Sequence, residues 1–180
     1  MKVGRSMRTA IAISIALSAL VQAGLDARAT AAPKAGTVNP CKLLESVFRE
    51  VGAGIWVLRL REHIFSEFGP GYRCEWTSKP IKGTVHFRYQ VLLYFLPART
   101  PAIARQNLAS LKGKSKPLRG TGADEAFGSE MQSPGATSSR IAWRKGSYGG
   151  WLSVTGPGQA GDLEDASDLL KGLMRRIPRN

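Results

Sequence analysis

Apolar residues along this chain change their spacing several times, and each change marks an element. Leu44, Val47, Phe48 and Val51 recur at helical spacing, and Cys41 lies three residues before Leu44 on the same stripe. Asn39 as N-cap, Pro40 at the first helical position and Gly52 past the end bound a helix there. Ile55 to Leu60 is short and β-rich, and a loop through Gly69-Pro70-Gly71 follows it. Cys74 and Trp76 alternate with Glu75 and Thr77, which puts them on the strand face packed against the first helix. After a turn at Lys79-Pro80, Val85, Phe87, Tyr89, Val91, Leu93 and Phe95 alternate over a long strand. His86, Arg88 and Gln90 occupy its other face, which Leu92 and Tyr94 then turn apolar.

Thr100-Pro101 opens a second helix carrying Ala104, Leu108 and Leu111, which dissolves into a basic run from Lys112 to Arg119. A Gly-rich turn spans Gly120 to Phe127. Ile141 to Arg144 and Trp151 to Thr155, joined around Lys145-Gly146-Ser147, predict a β-hairpin that Gly156-Pro157-Gly158 ends. A last helix runs from Leu163 to Arg176 with Asp162 as N-cap and Leu163, Ala166, Leu170, Leu173 and Ile177 as its stripe. Acids open that helix and Arg175 and Arg176 close it, as the helix dipole favours. The predicted order is α-β-β-β-α-β-β-α. Without a βαβ rhythm, it describes an α+β domain, an antiparallel sheet packed against helices.

The N-terminus follows a different pattern. Lys2, Arg5 and Arg8 precede the apolar run Thr9 to Val21, which is too short to span a bilayer comfortably. Small-residue cleavage sites end at Ala23 and at Ala29. Residues 1–29 therefore read as a signal peptide cleaved after Ala23 or Ala29, 30–38 as a flexible leader and 39–180 as a single domain. The mature chain, about 150 residues with no transmembrane span, is long enough for one core. Export to a secreted or periplasmic location means an oxidising compartment, and the two cysteines, Cys41 and Cys74, then predict one disulfide. Cys41 lies well past the apolar run and after Asn39-Pro40, so it is not a lipid-acceptor cysteine.

Charge narrows the partners. The chain carries a net +13, and loss of Lys2, Arg5 and Arg8 leaves +10. A domain this basic associates with polyanions at low salt. The densest basic stretch holds Lys112, Lys114, Lys116 and Arg119, the foremost ligand-binding residues. Trp151 is opposite in phase to Leu152 and Val154, so it points away from the core if they point in. There an exposed tryptophan could stack a sugar or mark a partner surface.

Asn39-Pro40-Cys41-x-Leu43-Leu44 opens a helix, and Cys74-x-Trp76 follows some thirty residues on. Gly120-x-Gly122 with Asp124-Glu125-Ala126-Phe127 precedes a hairpin holding Arg144-Lys145-Gly146, and an amphipathic helix ends the chain. In this order the chain resembles a family of small secreted bacterial domains of unknown function, many of them actinobacterial lipoproteins. The resemblance spans about Thr37 to Ile177. This chain departs from it in lacking the lipid-anchor cysteine and in placing Ala123 between Gly122 and Asp124. What the resemblance implies is a disulfide-stapled envelope domain, and it implies no reaction.

Catalytic patterns are sparse. The two histidines, His63 and His86, lack metal-ligand spacing, and two bridged cysteines leave no thiolate for zinc. There is no nucleophile elbow, P-loop or dinucleotide fingerprint, so no cofactor is expected. Asp124-Glu125 after glycines reads as a turn cap or as a carboxylate pair for a cation. The enzyme reading is a small secreted hydrolase such as a ribonuclease, with His86, Glu75 and Arg88 as acid, base and phosphate holder. Nucleic acid is a partner only in that case. The leading reading is a non-catalytic domain that binds an envelope polyanion or a protein partner through a basic surface. An inhibitor or immunity-type protein is a third.

Overall fold

The computed structural model describes residues 38–50, 56–78, 89–158 and 160–178, all within one compact unit, Ala35–Asn180. Residues 1–37, with the signal peptide and all of the leader but Val38, lie outside the described residues, as does 79–88, with the Lys79-Pro80 turn, Val85, His86, Phe87 and Arg88. Along the chain come α1 (Pro40–Glu50), β1 (Trp56–Ser66), β2 (Gly69–Ser78), β3 (Gln90–Pro97), α2 (Pro101–Leu111), β4 (Lys116–Pro117), β5 (Glu125–Ser133), β6 (Ala136–Lys145), β7 (Tyr148–Pro157) and α3 (Leu163–Arg176). The seven strands form one sheet in the order β1-β2-β3-β7-β6-β5-β4, and every pairing is antiparallel. The fold is α+β, as expected.

Local chemistry sets the helix ends as the sequence implies. Asn39 Oδ1 accepts from Lys42 N at 3.2 Å, and Thr100 Oγ1 from Ile103 N at 3.2 Å. Asp162 Oδ1 accepts from Glu164 N and Asp165 N, both at 2.9 Å. Each of these carboxamide, hydroxyl and carboxylate oxygens satisfies N–H groups that the first helical turn leaves unpaired.

Alternation sorts the strands into two faces. Trp76, Val91, Leu93, Phe95, Leu152, Val154, Ile141 and Trp143 fill the core together with Leu44, Val47 and Phe48 of α1 and Leu170, Leu173 and Met174 of α3. The disulfide Cys41–Cys74 joins α1 to β2 inside this layer, Cα to Cα 5.7 Å. Gly172 of α3 sits so close to Val47 that a Cβ there would lie 2.5 Å from its Cγ1, which sets how tightly α1 and α3 approach. At the C-terminal end of α3, Lys145 Nζ donates to the carbonyl oxygens of Met174 and of Ile177, the latter at 2.9 Å, and so ties the end of the helix to β6.

The second helix lies on the opposite face. Glu125 and Phe127 flank the core residue Ala126 and point the other way, and α2 meets them through Arg105 and Lys112. It covers one end of that face, and among the described residues no other helix lies there.

Three sequence expectations need correction. Gly69-Pro70-Gly71 is strand, not loop: β1 continues to Ser66, Glu67-Phe68 makes the turn, and pairing resumes at Ser66↔Gly69. The turn read from Gly120 to Phe127 ends at Asp124, and β5 starts at Glu125. The basic run contains a short strand, β4, which pairs with β5 at Lys116↔Gly128 and Pro117↔Phe127. The sheet edges differ. β4 is two residues long and includes a proline, whereas β1 is eleven residues long with a register shift between Leu58 and Leu60.

Candidate functional site on the open sheet face

One row of residues crosses the open face from strand to strand. Cross-strand pairing places Phe127 beside Ala142, Ala142 beside Trp151, Trp151 beside Tyr94, Tyr94 beside Arg73 and Arg73 beside Glu62. Three aromatic rings stand in this row, and a cation lies over each. Lys112 Nζ is 4.8 Å from the Phe127 centroid, Arg140 Cζ 4.4 Å from that of Trp151 and Arg73 Cζ 5.8 Å from that of Tyr94. Trp151 and Tyr94 stack with centroids 4.2 Å apart and planes 21° apart.

Gly150 makes this stack possible. A Cβ at this position would lie 1.9 Å from the Tyr94 carbonyl oxygen, and its φ of +149° is one that side chains avoid. The bare backbone lets β7 run close against β3 one residue before Trp151.

The phase argument for Trp151 holds: Leu152 and Val154 are buried, and Trp151 is half-buried on the other face. Stacking of a sugar on its ring, however, finds no free face. Tyr94 on β3 covers one side and Arg140, on β6, the other. What the row offers a ligand is therefore the cations that lie over its rings.

The three cations differ in their compensation. Arg73 pairs with Glu62 at 3.2 Å and Glu75 at 3.7 Å, so its charge is largely neutralised. Among the described residues no carboxylate pairs with Arg140 or Lys112. Burial pulls the Arg140 guanidinium below the usual arginine value, and Tyr94 acts in the opposite sense; the group still carries its charge at neutral pH. A guanidinium whose Cζ sits over an indole still has N–H groups to offer a bidentate anion. Hydroxyl side chains flank it, since Arg140 pairs with Ser129 and Ser153 on the neighbouring strands.

The other expected site residues fall in different places. Lys112 joins the row, while Lys114, Lys116 and Arg119 are exposed along the loop and edge strand that follow it. Glu75 lies on the open face but is engaged, accepting from Gln90 Nε2 at 2.8 Å and pairing with Arg73. Asp124 and Glu125 are engaged too. Arg144, with 7% of its side chain exposed, pairs with both at 3.1 and 3.0 Å, Arg105 reaches Glu125 at 2.9 Å, and Gly146 N donates to Asp124 at 2.8 Å. The pair anchors the turn to the β6–β7 hairpin. Among the described residues no group of three or more His, Cys, Asp and Glu could hold a metal ion, and no helix is long and apolar enough to cross a membrane.

Arg140, Tyr94, Arg73 and Phe127 are members that sequence reading missed as site residues. Arg140 is a lone cation in a Ser-Ser-Arg run and Tyr94 one apolar residue among several, and only strand register joins them to Trp151. Comparison of the chain with protein-family models, curated proteins and solved structures finds no match.

Proposed function

We propose that this chain is a secreted or periplasmic, non-catalytic domain that holds an anionic envelope polymer across its open sheet face. The observation that carries this reading is Arg140, an uncompensated guanidinium 4.4 Å from the Trp151 centroid on that face. On the neighbouring strand β5, Lys112 places a second uncompensated charge over Phe127. The exposed Lys114, Lys116 and Arg119 extend the positive track past the β4 edge. Spaced cations suit a polymer with repeating phosphate, sulfate or carboxylate groups better than one small anion. The rings restrict the cations that lie over them, which lowers the entropy that binding costs. The disulfide supports a location outside the reducing cytoplasm.

The test is heparin affinity of the folded protein at increasing salt. Retention should weaken steadily as salt screens the charges. Arg140→Ala should weaken binding roughly tenfold, the value of one charge-assisted hydrogen-bonded contact, and Lys112→Ala should weaken it less. Arg49→Ala removes an equal charge from an exposed site on α1, remote from the open face. Equal losses in Arg49→Ala and Arg140→Ala would reduce the reading to net charge alone and overturn the site.

A further inference from the structure

Three ring-and-cation pairs stand in the row across the open face, and the third is built differently. Lys112, just past α2, lies over Phe127, Arg140 of β6 over Trp151 and Arg73 of β2 over Tyr94. The stack of Trp151 on Tyr94 makes the second and third pairs adjoining members of one series. Of the three cations, only Arg73 is met by carboxylates among the described residues, and it is met by two.

Both acids reach Arg73 from positions that the register sets. Glu62 is its cross-strand partner on β1, with Oε1 3.2 Å from Nη1. Glu75 lies two residues along β2 on the same face, with Oε2 3.7 Å from Nη2. Gln90 Nε2 donates to the other Glu75 oxygen at 2.8 Å and steadies that carboxylate. Arg73 Nε, by contrast, is buried with no hydrogen-bond partner among the described residues. An arrangement that served the fold would satisfy that buried donor first, because a buried donor left unpaired is the costly one. The acids instead occupy Nη1 and Nη2, a guanidinium edge that an anion takes in a bidentate contact.

We infer that Glu62 and Glu75 are the end-stop of the polymer track, so that an anionic chain is held from the β4 edge as far as Trp151 and leaves the sheet before Tyr94. The inference rests on the polymer reading above and adds where the ligand ends. Two carboxylates against one guanidinium leave the third position net negative, whereas the first two are positive. A polyanion that follows the row past Trp151 therefore meets like charge at Tyr94, which is how charged surfaces reject a wrong register. Arg59 of β1 is bonded to Thr77 Oγ1 at 2.8 Å, four residues along β2 from Arg73, and pairs with neither acid.

The experiment measures heparin affinity of the full chain by calorimetry at one salt concentration. Glu62→Gln with Glu75→Gln keeps the side-chain shapes and uncovers Arg73. The double variant should bind about five- to tenfold tighter, the value of one charge-assisted contact. Glu62→Gln alone, which leaves the Gln90–Glu75 bond intact, should show part of that gain. Adding Arg73→Gln to the double variant should remove most of it. Glu45→Gln with Glu164→Gln removes the same two charges from α1 and α3, which pack on the other face of the sheet, and should change affinity less than about twofold. No gain in the double variant, an equal gain in the α1 and α3 pair, or a gain that survives Arg73→Gln each overturns the end-stop. If Arg140→Ala and Arg49→Ala weaken binding equally, the site itself falls and the end-stop with it. If they differ and the double variant gains nothing, the end-stop alone falls.

Discussion

Trp151 stacks on Tyr94 with ring centroids 4.2 Å apart, and Arg140 closes the other side of the indole. The indole thus lies between a phenol ring and a guanidinium on the open sheet face. Trp151→Ala should release Arg140 into many rotamers and weaken heparin binding three- to tenfold, a loss of about 1 kcal/mol, with the fold intact by circular dichroism. Trp151→Phe keeps a ring under the cation and should recover most of the affinity. Loss of binding in both variants alike would mean that the indole edge, rather than its face, matters.

Arg144 and Arg105 both hold Glu125, but from different surroundings. Arg144 has 7% of its side chain exposed and also binds Asp124 and the Gly146 carbonyl, whereas Arg105 is 68% exposed. Arg144→Ala should destabilise the domain by about 2–3 kcal/mol, below the usual cost of breaking a buried pair because both acids keep partial contact with water. Arg105→Ala should cost about 1 kcal/mol or less. Urea unfolding of the two variants side by side checks the difference.

Acid should find the same cluster. The hydrogen bond from Arg105 is the main force holding the Glu125 carboxyl below its ordinary value of 4.5; burial opposes it and Arg144 reinforces it. The folded chain therefore binds this proton less tightly than the unfolded chain does. The stability from Glu125 is fully present above about pH 4.5 and is lost as pH falls through the folded value. Melting temperature measured from neutral pH downward should drop in that range. Glu125→Gln should start lower at neutral pH and fall less steeply.

Cys41 and Cys74 are 1% and 0% exposed, so their bond is shielded from reductant. The native protein should resist dithiothreitol and lose the bridge only on unfolding. The Cys41→Ser, Cys74→Ser double variant should lose roughly 3–4 kcal/mol, the chain-entropy value for a loop of this size. A much smaller loss in urea titration would show that α1 docks on β2 through Leu44, Val47 and Phe48 without help.

The elements legible in the sequence are those whose pattern is set by burial. α3 begins and ends where Asp162 and the last arginines place it, because its stripe faces the core along its whole length. The turn of the β6–β7 hairpin was legible from Gly146. β5 was not: after Ala126 and Gly128 its residues are exposed, so backbone pairing with β6 holds it and no apolar alternation announces it. The outer half of β1 escaped for the same reason. Arg144 and Lys145 look like turn residues in sequence, yet both are buried, their charges satisfied by carboxylates in one case and by helix-end carbonyls in the other. In the candidate site, Trp151 could be read from phase and Lys112 from the charge run. The row that unites them depends on the register of five strands.

The unequal edges of the sheet limit how copies of this chain can associate. Lys116-Pro117 offers almost no backbone to a new strand, because proline lacks the N–H that pairing needs. Among the described strands β1 presents the longer free edge, and β5 beyond Gly128 a shorter, exposed one. Two copies joined through β1 would cover the longer border of each and leave the outer stretch of β5 as the place where a further strand could add.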